Sequence, residues 1–138
     1  MQKYKFVIII IVVCSLSISC NNCDQVQGIE ISELLNRQID DSYCEILDNA
    51  INLDKKSIVK ISRYKISDAA GYDHGYVLVR LIEKIGEEEY FNGFQNLSLN
   101  EKKSVLSYLK AGLENGGNKI YKFKKLDEIF PILSKSLK

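Results

Sequence analysis

The chain has 138 residues, with 19 lysines and arginines, 18 aspartates and glutamates, one histidine, four cysteines and no tryptophan. A formal net charge of +1 gives no basic excess, which argues against a nucleic-acid-binding protein. The length suits one domain with a single hydrophobic core.

The N-terminal segment has the features of a secretory signal peptide. Lys3 and Lys5 precede the unbroken apolar run from Phe6 to Val13, and small residues follow. A basic start, a short apolar core and small residues before a cleavage site are typical of such signals. The apolar core is shorter than the roughly 20 residues that a permanent membrane span requires. We therefore predict that residues 1–19 are removed and that the rest folds outside the cytoplasm.

The end of this segment, Ser17-Ile18-Ser19-Cys20, resembles the lipobox of bacterial lipoprotein precursors. In that family the cysteine is acylated and begins the mature chain. The resemblance covers only the signal region, and Ser17 stands where leucine is commonest. It implies a lipid on Cys20 that attaches the chain to a membrane of the cell envelope, with the domain in the periplasm or at the cell surface. Ordinary secretion with cleavage near Ser19 is the alternative.

The residues after Cys20 predict a tether and a disulfide. Asn21 and Asn22 do not resemble an inner-membrane retention signal, which favours the outer membrane, and residues 20–28 are expected to form a lipidated polar tether before a domain at residues 29–138. In an oxidising compartment, Cys23 and Cys44 would pair and fasten the start of the domain to its first helix. Two free thiols are the alternative. One histidine and two distant cysteines match no zinc spacing, so no metal or cofactor is predicted.

Apolar residues recur at intervals of three and four, which predicts an all-α, compact bundle of five or six short helices with short connections. The first helix is expected from about Glu30 to Asn52. The second should start at Asp54, a suitable N-cap, although "SIVKISRYKI" also permits a strand.

The third helix contains the only histidine, in "SDAAGYDHGYVLVRLIEKIG". If it begins at Ser67, His74 shares a face with the core residues. Gly71 and Gly75 then predict the close approach of another helix or of a partner, because glycine costs about 1 kcal/mol against alanine inside a helix. The alternative is a helix that begins at Asp73 as its N-cap.

Three further helices complete the prediction. "EEEYFNGF" reads as a short helix, and the capping box Ser98-Leu99-Asn100-Glu101 opens a longer one. The segment 124–138 is expected to be a last helix, with Pro131 near its first turn or at a kink. The segment from Asn118 to Lys125, which contains four lysines, is interpreted as a solvated linker, and contact with anionic lipid or a polyanion is the alternative.

His74 is a weak candidate for catalysis. A histidine base needs a nucleophile and an orienting group, but adjacent helical side chains diverge by about 100°, so Asp73 is poorly placed to orient it. No G-x-S-x-G motif is present. We favour a packed or capping histidine, and a partner-binding cluster of Tyr72, Asp73, His74 and Tyr76 is the alternative.

The acidic run Glu87, Glu88 and Glu89, followed by Tyr90, is expected to be a solvated helix start, or alternatively an acidic patch that meets a partner. The function that fits these features is a small envelope lipoprotein whose helical domain binds another protein, for example as an immunity or inhibitor protein against a secreted toxin or an envelope hydrolase. A structural subunit of an envelope complex or a ligand-binding surface lipoprotein is the alternative, and an enzyme is least favoured.

Overall fold

The computed structural model describes residues 23–115, 121 and 124–136, and this part of the chain is mainly helical. The helical prediction is therefore confirmed, although the described part holds eight helices and a small hairpin that was not predicted. The elements are β1 (Gln25–Val26), β2 (Ile29–Glu30), α1 (Glu33–Asn36), α2 (Ser42–Ile51), α3 (Lys55–Ser62), α4 (Ala70–Ile85), α5 (Glu87–Phe94), α6 (Leu99–Asn115), α7 (Leu126–Ile129) and α8 (Pro131–Lys135).

The hairpin pairs β1 with β2 in antiparallel register, Gln25 opposite Glu30 and Val26 opposite Ile29. Its two-residue turn has positive φ at Gln27 and Gly28, as tight hairpin turns require. Val26 and Ile29 are buried. The tether predicted for residues 20–28 therefore differs from the structure over residues 23–28, which belong to the folded domain, while residues 1–22 lie outside the described residues.

The single helix predicted between Glu30 and Asn52 is in fact α1 and α2. The Ser32 side chain caps α1 by accepting a hydrogen bond from the Leu35 amide at 3.0 Å. Asp40 then accepts from the Ser42 amide at 2.9 Å, a local bond that competes with a continuous helix. The apolar residues on either side of the break still face the core, Leu35 from α1 and Tyr43 and Ile46 from α2.

The helix α3 begins where it was predicted. Asp54 is its N-cap and accepts a hydrogen bond from the Ser57 amide at 2.8 Å, so the alternative of a strand is wrong. Its residues Ile58 and Ile61 are buried in the core. On α5, a Cβ added to Gly93 would lie 2.7 Å from Ile58 Cγ2, so the glycine lets α5 pack closely on α3.

The helices α4 and α6 are the two longest and pack on one another. The first begins at Ala70, between the two predicted starts, because Asp68 has a φ of 54° and interrupts the helical backbone. The capping box of α6 is confirmed: the Ser98 amide donates to Glu101 Oε2 at 2.7 Å, and the Glu101 amide donates to Ser98 Oγ at 3.4 Å.

The last predicted helix is split by its proline. Pro131 occupies the first position of α8, where its missing N–H costs nothing, and α7 ends just before it at Ile129. The side chains of Phe130 and Leu133 are buried and join this segment to the core.

Candidate functional site

The structure joins Cys23 to Cys44, the first residue of the described chain to the first turn of α2. Their Cα atoms are 6.3 Å apart, within the range that disulfides occupy. Gln27 adds a hydrogen bond to Asp48 at 2.9 Å, one helical turn beyond Cys44. The hairpin is therefore fixed along one flank of α2. Cys20, the predicted lipidation site, lies outside the described residues.

The imidazole of His74 is completely buried. Its Nδ1 lies 2.8 Å from the Tyr43 hydroxyl, and its ring meets that of Tyr108 edge to face at 5.0 Å between centroids. The Tyr108 hydroxyl in turn donates to the carbonyl of Ile66 at 2.9 Å. This aromatic cluster, which consists of the buried Tyr43 and His74 and the partly buried Tyr108, joins α2, α4 and α6.

Burial controls the ionisation of this cluster. It lowers the pKa of His74 to about 4, because the imidazolium would lose its hydration without gaining an anionic partner. Burial also raises the pKa of the Tyr43 hydroxyl well above its ordinary value. Both rings are therefore neutral at pH 7. His74 has no accessible surface on which to receive a substrate proton, so its place in the structure is that of a packing residue.

The glycines of α4 mark a helix crossing. A Cβ on Gly75 would overlap the Tyr108 carbonyl oxygen and lie 2.9 Å from the Gly112 amide nitrogen. A Cβ on Gly112 would in turn overlap the backbone of Gly75. At this α4–α6 crossing the two backbones touch, which only glycine permits. The close approach predicted from Gly71 and Gly75 is therefore made by another helix of the same domain, and Gly71 contacts the Tyr108 ring.

Near the start of α4, most residues of the cluster predicted to bind a partner contact other parts of the domain. Asp73 accepts a hydrogen bond from the Ser32 hydroxyl, which links α4 to the cap of α1. Tyr76 is half-buried against the core and His74 is buried, so only Tyr72, 49% exposed, presents a large free surface.

The acidic run is likewise divided between structural and exposed residues. The carboxylate of Glu87 accepts hydrogen bonds from the amides of Ile132 at 2.8 Å and Leu133 at 2.9 Å, so it caps α8. Tyr90 is fully buried, and its hydroxyl lies 2.7 Å from Ser62 Oγ. Glu88 and Glu89 remain exposed.

The two predicted partner-binding segments do not form one surface. They lie at opposite ends of α4, which rises roughly 20 Å from Tyr72 to Ile85. His74 and Tyr90 have no exposed surface with which to contact a partner, which corrects their assignment as binding residues. Tyr72, Glu88 and Glu89 are the members that remain accessible.

A basic groove on the outer side of α3 was missed in the sequence. It has a volume of about 330 Å³, is open to solvent, and is lined by Lys55, Lys56, Val59, Lys60, Arg63 and Asn96. We call it the α3 groove. The sequence did carry a signal, since Lys56, Lys60 and Arg63 recur at four and three residues and so fall on one helical face. The sequence interpretation of α3 rested on its apolar residues, and its basic face was not assigned a role.

In the part of the chain that the structure describes, no group of three or more His, Cys, Asp or Glu side chains is placed to hold a metal ion. None of the helices in that part combines the length and the apolar character needed to cross a membrane. Comparison of the chain with protein-family models, with curated proteins and with solved structures gives no match.

Proposed function

We propose that this chain is a small lipoprotein of the bacterial cell envelope whose helical domain binds another protein. Its lipid would be attached to Cys20 and would anchor the chain in the outer membrane. The domain would face the periplasm or the cell surface. An immunity or inhibitor protein that neutralises a secreted toxin or an envelope hydrolase is the form of this function that we favour.

The observation that carries the proposed address is the disulfide between Cys23 and Cys44. Structural disulfides persist in oxidising compartments and are rare in the cytosol. The bonded Cys23 follows the lipobox-like Ser17-Ile18-Ser19-Cys20 by three residues. The disulfide therefore supports export, and the lipobox-like segment supports anchoring.

A binding function agrees better with the geometry than catalysis does. The one histidine is enclosed by tyrosine rings and neutral at pH 7, so it serves packing. Accessible polar features include the α3 groove, Tyr72 and the pair Glu88 and Glu89. Charged and aromatic groups at a surface give specificity to protein–protein association.

Metabolic labelling with an alkyne fatty acid tests the anchor. The wild-type chain should be labelled and recovered with membranes, whereas Cys20→Ser should be unlabelled. Cys14→Ser is the matched control, because this residue lies within the predicted signal and should leave labelling intact. Labelling that persists in Cys20→Ser, or its absence from the wild type, would contradict the lipoprotein proposal.

Chemical cross-linking tests the binding function in the same cells. After solubilisation in a mild detergent, the chain should migrate in a complex larger than one copy, with a second polypeptide in constant ratio to it. Recovery as a single uncomplexed chain under conditions that preserve other envelope complexes would overturn this part of the proposal.

A further inference from the structure

We infer that the α3 groove binds an acidic segment of a protein partner. This inference rests on the proposed protein-binding function and names the chemistry of the contact. It is carried by the charge of the groove, by the position of its lysines on the helix and by its shape.

Three of the four cations in the groove form no ion pair among the described residues, although the charge of Lys56 acts on Asp54 and that of Lys60 acts on Asp40. Among the described residues, the ion pairs are Arg37 with Glu33, Arg63 with Glu101 and Arg80 with Glu83, so Lys55, Lys56 and Lys60 take no part in one. The three lysines are also exposed. A binding group with several carboxylates would supply the missing negative charge.

Two of the lysines stand where a helix disfavours them. Lys55 and Lys56 are the first two residues of α3, and the first turn contains no acidic residue. The positive end of the helix dipole favours anions at this position and opposes cations. Only the N-cap Asp54 offsets this, and its carboxylate already accepts from the Ser57 amide. An arrangement that breaks a local stability rule is expected at functional sites.

The shape of the groove suits an extended chain better than a single small anion. Its cations from Lys56 to Arg63 are spread over about 10 Å of helix. Residues on one side of an extended strand repeat at about 6.6 Å, close to the 6 Å rise between Lys56 and Lys60. Val59 adds an apolar side chain to the lining, and Asn96, after α5, adds an amide side chain. An acidic peptide could therefore place alternate carboxylates along the lysines.

Binding of a fluorescein-labelled octaglutamate peptide tests the inference, with the chain purified from cells in a nonionic detergent. Lys55→Glu/Lys60→Glu should weaken the wild-type affinity by about tenfold, because two favourable charge contacts become repulsive. Lys103→Glu/Lys110→Glu on exposed positions of α6 is the matched control, with the same change of net charge, and should weaken binding less than twofold. Thermal unfolding verifies that both variants fold.

Two further probes separate the other anionic ligands. Vesicles containing phosphatidylglycerol should bind the two double variants equally, and inorganic phosphate should not displace the peptide at concentrations that leave ionic strength unchanged. Equal loss of peptide binding in both variants would overturn the inference, as would groove-dependent binding to vesicles or full displacement by phosphate. If Cys20 were not labelled, only the proposed membrane address would be refuted. The peptide measurement would still test the inference about the α3 groove.

Discussion

The α4–α6 crossing and the α3 groove show two different demands that one fold makes on its sequence. At the crossing, Gly75 and Gly112 bring two backbones into contact, and space alone dictates the residue type. In the groove, exposed lysines surround an open volume of about 330 Å³, and many side chains would fit there without steric conflict.

The difference teaches where stability and binding should separate. Overlap in a close-packed interior has to be relieved by moving whole helices, whereas a surface charge changes the free energy of unfolding only slightly. Substitutions at the crossing should therefore act on stability. Substitutions in the α3 groove should act on binding and leave the folded state nearly unchanged.

The largest effect is expected from Gly75→Ala. A Cβ at this position overlaps the Tyr108 carbonyl oxygen, so α4 and α6 must move apart and the aromatic cluster must open. We expect a loss of at least about 3 kcal/mol in the free energy of unfolding, measured by urea denaturation, or failure to fold.

Gly71→Ala is the matched control on the same helix. Its Cβ would meet the Tyr108 ring and the Ile66 carbonyl oxygen at 3.4 Å, which is close but tolerable. This variant should lie within about 1 kcal/mol of wild type, since alanine also improves helix propensity. Equal destabilisation by the two substitutions would show that the crossing is not the site of closest approach.

The second prediction concerns the pH dependence of stability through His74. Its pKa is about 4 in the folded chain against 6.5 for the ordinary group, so the unfolded state binds more protons between these values. Above pH 6.5 the ring is neutral in both states, and the chain keeps its full stability. As the pH falls from 6.5 to 4, protonation of the unfolded state lowers the free energy of unfolding. At pH 5 the loss should reach about 2 kcal/mol relative to pH 7.

The variant His74→Gln isolates this contribution. Glutamine keeps a polar partner for the Tyr43 hydroxyl but does not titrate, so its free energy of unfolding should be lower at pH 7 and flatter from pH 7 to pH 5. The lowered pKa values of Asp40, Asp54 and Glu101 affect both proteins alike and cancel in the difference. Parallel curves for wild type and variant would refute the assignment.

Local signals in the sequence predicted much of the fold, because caps and helical periodicity act within a few residues. Asp54, the Ser98–Glu101 box and the apolar stripe around His74 are all found in their predicted roles. The hairpin was missed because its strands have two residues each, too few to show alternation.

The candidate surface was less predictable, because exposure depends on contacts between distant residues. Glu87 looked like its exposed neighbours, yet it caps a helix 45 residues away. Tyr90 looked like an interface aromatic, yet Ser62 holds its hydroxyl in the core. The α3 groove is lined by Asn96, after α5, as well as by residues of α3, so its presence depends on the packing of two separate segments and not on the basic spacing alone.

The third prediction concerns Glu87, whose effect on stability is expected to lie between those of the α4–α6 crossing and the α3 groove. Glu87→Ala removes the acceptor for the amides of Ile132 and Leu133 and should cost about 1 kcal/mol of unfolding free energy. Glu88→Ala removes an exposed acid from the same helical turn and should cost less than about 0.5 kcal/mol. Hydrogen exchange at the two amides should accelerate only in Glu87→Ala. If both variants were equally stable, α8 would not depend on this cap.

The smallest effects on stability, with opposite signs, are expected within the α3 groove itself. Lys55 stands in the first turn of α3 and Lys60 in its last turn. Because the helix dipole favours anions at the first and cations at the second, Lys55→Glu should stabilise the chain and Lys60→Glu should destabilise it, each by about 0.5 kcal/mol. Urea denaturation would measure the free energy of unfolding, and octaglutamate titration would measure the affinity for the peptide. Both variants should bind the peptide more weakly, so binding would fall while stability rises in one and falls in the other. If peptide affinity instead followed stability, the groove would act through the fold and its charges would not be the binding determinant.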